Sequence, residues 1–259
     1  MKTSIITVTY DKDLEFLKYN LKSIKKFCKG YHENIVVIDD HENDCVETQR
    51  YLDSIGQKYF INREAKFIKH GYVRQQYIKL HSHLYVSPAS DYICHVDSDS
   101  IFTKENKPGE VYFSNNRPIM LMSRWENLPE KFHIWIEPTA DILKFRPVHE
   151  YMRVMPLVYP VHVHEGVKNY LEKLHGMSLL DLLRDRDIIS EFNVIGAYIY
   201  KYHKDKFHWV DEVLNSKEHV DYRNHLPCVQ YSNRPEAQPH RYVDLSHPDN
   251  PISQLFKDK

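Results

Sequence analysis

An α/β fold built on a mainly parallel, doubly wound sheet is the class this sequence predicts. Strand-like and helix-like patterns alternate through the first 100 residues. The strand-like stretches are short continuous apolar runs rather than polar–apolar alternations, which marks strands covered on both faces. Three of these runs end in polar or acidic clusters, where ligands bind in open α/β sheets. In order, residues 4–9 form a buried strand rich in β-branched side chains. Asp11 is then expected to cap a helix in which Leu14, Leu17, Leu21, Ile24 and Cys28 recur at helical spacing, with Gly30 as its C-cap. Ile35-Val36-Val37-Ile38 is a second strand, running into Asp39-Asp40. A polar helix over 43–55 stops at Gly56, and a third strand follows at 59–61. Gly71 opens a helix over 72–86, and 92–96 is a fourth strand ending in Asp97-Ser98-Asp99. Beyond Arg117 the pattern is less regular, with a strand at 118–122 and helices at 161–175, 178–184 and 187–202. Five of the thirteen prolines lie from Pro227 onward, so an irregular tail is expected there. The chain reads as one domain over 1–259, with a nucleotide-binding half at 1–115 and an acceptor half at 116–259.

Composition narrows the chemistry. Of 259 residues, 42% are hydrophobic and 27% charged, a globular balance. Lysine plus arginine number 35 against 36 acidic residues, which excludes a polybasic nucleic-acid coat. The seven glycines, at 30, 56, 71, 109, 166, 176 and 196, are nowhere closer than ten apart. That excludes a dinucleotide-binding glycine loop, a Walker A loop and a G-x-S-x-G elbow. Any phosphate must therefore be met by a metal or by cationic side chains. Cysteines 28, 45, 94 and 228 form no C-x-x-C pair and read as buried free thiols of a reducing compartment. The N-terminal apolar run Ile5-Ile6-Thr7-Val8 is too short for a signal sequence or a membrane span. A soluble cytoplasmic protein is expected, in the host cytoplasm if the chain is viral. No His-Glu-x-x-His or Pro-Cys-x-x-Cys occurs, so zinc protease and zinc deaminase chemistry are not encoded.

Asp97-Ser98-Asp99 is the sharpest motif. In extended backbone, residues two apart project to the same side. Two carboxylates at a strand mouth make a hard-oxygen site for Mg²⁺ or Mn²⁺, which in turn binds diphosphate. A solvated acidic turn is the plain alternative; the position after a hydrophobic strand, some 90 residues beyond an N-terminal βαβ unit, favours the functional reading.

The ordered set Ile5-Thr7-Val8-Thr9-Tyr10, Val36-Val37-Ile38-Asp39-Asp40 and Asp97-Ser98-Asp99 resembles the GT-A fold glycosyltransferases. Gly71-Tyr72-Val73-Arg74-Gln75-Gln76-Tyr77-Ile78-Lys79-Leu80 is similar to the G-W-Y-R-Q-Q-x-x-K-L segment of a little-characterised bacterial and viral branch of them. Met155-Pro156-Leu157-Val158-Tyr159-Pro160 and Ser190-Glu191-Phe192-Asn193 resemble the same branch, so the likeness spans about residues 3–200. It implies transfer of a sugar from a nucleotide-activated donor, a UDP-sugar first among them. It implies Thr7, Thr9 and Tyr10 beside the base, Asp39 or Asp40 accepting hydrogen bonds from base or ribose, Asp97 near ribose and metal, and Asp99 as the firmer ligand of Mn²⁺ or Mg²⁺. A third ligand in such enzymes is often a C-terminal histidine; His225, His240 and His247 are the candidates, with His240 favoured by its neighbouring proline.

Independent of the resemblance, Tyr72, Gln76, Lys79 and His83 share one helix face beside the apolar stripe Val73, Tyr77, Leu80 and Leu84. Arg74, Gln76 and Lys79 are candidates for the diphosphate or the sugar; a half-exposed helix explains the same pattern without function. An inverting transferase needs a general base, and Glu191 is the first choice, with Asn193 as a donor or acceptor contact. Helix stabilisation is the simpler role for Glu191, with Asp187 as cap. His162, His164 and Glu165 are weaker bases. Trp125, Trp135 and Trp209 could stack on a sugar or base, or pack in the core. The acceptor stays open among glycans, lipids and a hydroxymethylated DNA base, for which Lys201, Lys204, Lys206 and Arg223 could supply a local basic patch. The rival readings are a nucleotidyltransferase or phosphatase using the same carboxylates and a non-catalytic nucleotide-sugar-binding module. A dehalogenase-type phosphatase would carry D-x-D-x-T after its first strand, where this chain has Thr-Tyr-Asp.

Overall fold

The computed structural model describes residues 1–40, 45–232, 242–245, 247 and 250–257. The chain runs β1 (Thr3–Thr9), α1 (Leu14–Phe27), β2 (Asn34–Asp39), α2 (Val46–Ser54), β3 (Tyr59–Asn62), α3 (Gly71–Leu80), β4 (Tyr92–His95) and β5 (Ser100–Phe102). It continues with α4 (Pro108–Val111), β6 (Phe113–Ser114), β7 (Arg117–Arg124), α5 (Ile136–Leu143), β8 (His149–Glu150), β9 (Leu157–Pro160), α6 (Val161–His175), α7 (Leu179–Leu183) and α8 (Glu191–Tyr202). Last come β10 (His208–Asp211), α9 (Ser216–His225), β11 (Cys228–Gln230) and α10 (Pro251–Gln254).

The central sheet has the order β3-β2-β1-β4-β9, with all neighbours parallel except β9, which runs antiparallel to β4. This is the expected α/β architecture, a mainly parallel sheet flanked by helices in a Rossmann-like arrangement. Strand alternation feeds two layers. Ile6 and Val8 of β1 join Val73, Tyr77 and Leu80 of α3 and the inner residues of α6 and α8 in the largest core cluster. On the other face Ile5 packs with Ile24 of α1, and Val36 and Ile38 pack with Leu17, Leu21 and Leu52. Strand order reverses between β1 and β4: β1 leads outward to β2 and β3, and the chain then crosses back to lay β4 on the other side of β1. In open α/β sheets the loops diverge at such a reversal and ligands bind in the crevice outside the carboxyl ends. Thr9-Tyr10 and Asp97 border it.

A second sheet, β10-β7-β6 with β8 paired to the far end of β7, organises the C-terminal half that the sequence pattern left irregular. Several boundaries differ from expectation. Asp11 does not cap α1; its carboxylate accepts from the Thr48 hydroxyl (2.8 Å), and a 3-10 turn over Asp11–Asp13 precedes the helix. α3 ends at Leu80, where the His81 ring turns back to the Tyr77 carbonyl (3.0 Å), so Leu84 is exposed instead of continuing the apolar stripe. The cap of α8 is Ser190, whose hydroxyl accepts from the Asn193 amide, while Asp187 reaches His70 at 2.5 Å. The proline-rich tail contains a strand: β11 pairs antiparallel with β5. All four cysteines are free, three of them buried.

Two packing details carry measurable consequences. A methyl group at Gly196 would lie 2.3 Å from Cβ of Tyr151, so the Tyr151 side chain packs onto α8 only because residue 196 has no side chain of its own. Gly196→Ala should cost about 2 kcal/mol, a fall of roughly 4–8 °C in Tm by calorimetry. His95 of β4 and His164 of α6 are both buried with their Nε2 atoms 3.2 Å apart, so one must be neutral and accept. Burial, then the neighbouring histidines, pushes His164 from its ordinary 6.5 down to about 3, and His95 well below 6.5. Below pH 6.5 the unfolded chain binds protons that the folded one refuses, so stability is full above that value and falls as pH drops toward 3. His164→Asn should flatten the acid side of a Tm-versus-pH curve by about one proton, or ~1.4 kcal/mol per pH unit.

Candidate active site

The crevice is built by segments far apart in the chain. β4 ends at His95, and the backbone turns at Asp97-Ser98-Asp99 into β5. That turn is clipped from three sides. Asn20, in the buried stripe of α1, donates to the carbonyls of Asp97 (3.3 Å) and Ser100 (2.6 Å). The Ser98 hydroxyl donates to Asp13 (3.0 Å). Gln230 of β11 donates its amide to Asp97 Oδ2 (3.4 Å) and Asp99 Oδ1 (3.2 Å), 131 residues downstream. The segment is a turn, closed by the Ser100 amide donating to the Asp97 carbonyl (2.9 Å), and not the extended backbone the i, i+2 expectation assumed; the two carboxylates are linked instead through the shared Gln230 amide.

Lys79 is the hub. Its ammonium lies 2.8 Å from Asp97 Oδ1 and 3.1 Å from Glu191 Oε1, with the Phe192 ring centroid 4.9 Å away. Gln76, one turn earlier on α3, presses its carboxamide against the Glu191 carboxylate, the amide nitrogen donating (2.8 Å to Oε1). Glu191 is 1% exposed, and Lys79 and Gln76 are buried with it. Burial opposes the charge on Lys79, but the Asp97 and Glu191 carboxylates hold its pKa above the ordinary lysine value. Burial raises Glu191, with Lys79 pulling it back. Asp99 is pushed up to about 7, by burial and then by the charge of Asp97. Gln76 and Lys79, which read as part of a solvated stripe, are thus turned inward, because they meet Asp97 beyond the end of β4 and Glu191 of α8.

The other candidates fall into groups. Asp39 is buried in an ion pair with Arg74 (3.1 Å), and Asp40 pairs with Arg63 (3.1 Å) and accepts from the Cys45 amide. Arg74 is thereby drawn to the end of β2; its guanidinium folds over Gly71, where a methyl group would stand 3.0 Å from it. Thr7 and Thr9 are fully buried on the α1 side of β1, Thr7 donating to Asn20 and so acting behind the crevice, while Tyr10 lies at its rim. Asn193 is structural: its Oδ1 accepts from the Tyr151 amide (2.8 Å) and its Nδ2 donates to the Ser190 hydroxyl (2.9 Å). His164 is occupied with His95 in the core. Trp125 is buried, Trp209 donates to the Lys204 carbonyl, and Trp135 stacks on half-exposed Tyr72. Lys201 and Lys204 lie over Phe145 and Tyr200, and Lys206 pairs with Asp205. His240 lies outside the described residues; His225 closes α9, its ring against the Asp221 carbonyl. Asn20, Asp13 and Gln230 were not anticipated. Asn20 had a signal, a polar residue at a core position of α1 between Leu17 and Ile24; Gln230 had none.

Two carboxylates with oxygen donors only fit a hard divalent cation, and the Gln230 amide now supplies the positive dipole they share. Among the described residues no group of three or more histidine, cysteine, aspartate or glutamate side chains is gathered for a metal. A surface cavity of about 390 Å³ beside α9, lined by Ile119, Val210 and Tyr222 among others, contains none of these residues. No helix of the described residues is long and apolar enough to cross a membrane.

No family model and no curated protein matches the chain. Among solved structures, the 4-diphosphocytidyl-2C-methyl-D-erythritol synthase of Anaerococcus prevotii DSM 20548 aligns with a TM-score of 0.44 at 12% identity, over 81% of this chain and 88% of that one.

The buried triad sets a stability test. Lys79→Met leaves Glu191 without its cation and should cost about 3–5 kcal/mol in urea unfolding. Asp97→Asn, at a side chain 26% exposed, should cost less than half as much.

Proposed function

We propose that the protein is a metal-dependent GT-A glycosyltransferase that moves a sugar from a nucleoside diphosphate sugar, a UDP-sugar foremost, to an acceptor hydroxyl. The observation that carries this reading is the meeting of Asp97, Asp99, Lys79 and Glu191 at the point of strand-order reversal. Asp97 and Asp99 are the residues that would hold Mn²⁺ or Mg²⁺, whose charge would stabilise the leaving diphosphate. Lys79 gives a second, protein-borne cation in a chain with no glycine nest. In this reading its ammonium exchanges Glu191 for a diphosphate oxygen when the donor binds. That exchange frees Glu191, whose burial makes it a stronger base than an ordinary carboxylate. The acceptor oxygen then bonds to the anomeric carbon as the bond to the diphosphate breaks. The electron pair leaves with the nucleoside diphosphate, and Glu191 takes the hydroxyl proton. Gln76 holds Glu191 in place through the step.

Isothermal titration with Mn²⁺ and a panel of nucleoside diphosphates tests the donor site. Asp97→Ala/Asp99→Ala should weaken binding at least tenfold, about 1.4 kcal/mol; undiminished affinity overturns the reading. Glu191→Gln should keep nucleotide affinity and lower turnover by about 100- to 10,000-fold. Product analysis separates the rivals. Nucleoside diphosphate release marks a glycosyltransferase, pyrophosphate or inorganic phosphate a nucleotidyltransferase or phosphatase, and binding without turnover a non-catalytic module.

A further inference from the structure

The side of the sheet away from Lys79 and Glu191 carries a charge pattern that the crevice does not use. α1 packs Leu17, Leu21 and Ile24 against that side, whereas α3 and α8 cover the opposite one. From Phe16 to His32 the sequence holds five lysines, at 18, 22, 25, 26 and 29, and no acidic residue, in a chain whose net charge is −1. Lys22, Lys25, Lys26 and Lys29 are exposed, and Lys18 is half-buried. Lys18 pairs with Glu15 (2.6 Å); the other four meet no carboxylate among the described residues. Half-buried aromatic rings lie beneath these lysines. Lys22 stands over Tyr19 (5.6 Å to the ring centroid), and Lys26 over Phe27 (5.5 Å). Lys26 also stands over Phe256 of the C-terminal segment (5.6 Å), which stacks on Tyr19.

Helix stability accounts for only part of this pattern. Lys25 and Lys26 sit in the last turn, where the helix dipole favours cations. Lys18 and Lys22 lie earlier. Lys18 and Lys22, and again Lys22 and Lys26, are like charges four residues apart, which weaken a helix. A face serving solvation alone gains by interleaving acids, as Lys168 and Glu172 do on α6 (2.7 Å).

We propose that the lysine face of α1 is a docking surface for an anionic lipid bilayer. Clusters of about four to eight lysines or arginines on a helix bind acidic headgroups electrostatically. Here the lysine stems cover aromatic rings and the ammoniums reach outward, the arrangement by which such side chains settle at a headgroup layer. A nucleic-acid backbone fits less well. Its phosphates are gripped best by the planar fork of arginine, and the segment from Phe16 to His32 has no arginine. The face stands on the other side of the sheet, so its partner is independent of what the crevice transfers.

Vesicle flotation of the full chain tests the assignment. Phosphatidylcholine vesicles containing phosphatidylglycerol should carry the protein upward, and pure phosphatidylcholine vesicles should not. Raising salt from about 0.1 M to about 1 M shortens the screening length from about 10 Å to about 3 Å and should release the protein. Lys22→Glu/Lys25→Glu/Lys29→Glu should lower affinity for the anionic vesicles by about tenfold or more. Lys66→Glu/Lys173→Glu/Lys217→Glu makes the same charge change at exposed sites on other elements, and should lower it by no more than about threefold. The lipid and salt comparisons use the wild-type chain and stand whether or not a variant folds. No binding to anionic vesicles, equal binding to neutral ones, binding indifferent to salt, or equal loss in the two variants overturns the proposal. Fluorescence anisotropy with a labelled DNA duplex supplies the remaining outcome: a duplex bound through the α1 lysines, with no vesicle bound, overturns it too.

Discussion

A lysine ammonium sealed between two carboxylates is the interaction on which this crevice depends. Lys79 joins three elements that meet nowhere else in the sequence: α3, the end of β4 and the start of α8. Charges at that depth are tolerated only when paired and hydrogen-bonded, so each partner constrains the others. Gln76 satisfies Glu191, Phe192 lends its ring face to the ammonium, and Gln230 covers the outer oxygens of both aspartates. The same low-dielectric surroundings strengthen any interaction with an incoming anion. In the glycosyltransferase reading proposed above, a phosphate oxygen entering beside Asp97 would meet a cation that is already desolvated.

Topology explains why these groups converge. The β3-β2-β1-β4 order opens its crevice between β1 and β4, and Asp97 is the first polar side chain beyond β4 on that boundary. The glycines do other work. Gly71 leaves room for the Arg74 guanidinium, and Gly196 lets Tyr151 approach α8. None lies at the ends of β1, β2 or β4. Positive charge near the crevice is therefore delivered by side chains from behind the sheet, through helices that anchor them in the core.

The N-terminal half was legible because its signals are local. Continuous β-branched runs and helical spacing identify β1 to β4, α1 and α2 within a few residues, and the start of α3, which ends six residues before its expected end. Asp97 and Asp99 could be singled out because an acidic pair after a buried strand is conspicuous. Lys79 and Gln76 were singled out too, but as members of a polar face; that the face points inward depends on Asp97 and Glu191, which no local pattern reveals. Asp187 looked like the cap of α8 because it is acidic and precedes apolar spacing, yet Ser190 lies closer to the first turn and makes the bond. Asn193 was read as a ligand contact and proves to tie the 151 backbone to α8. β5, β8 and β11 are two or three residues long, below the length at which alternation can be seen.

β11 is the smallest of these elements and has the longest reach. The acidic turn is translated early, whereas the amide that shields it belongs to a strand made more than a hundred residues later. While the polypeptide is still emerging from the ribosome, the two aspartates remain hydrated and mutually repelling. Pairing of β11 with β5 is what brings the Gln230 amide onto both carboxylates, so the order of synthesis is also the order in which this acidic turn acquires its shared hydrogen-bond donor.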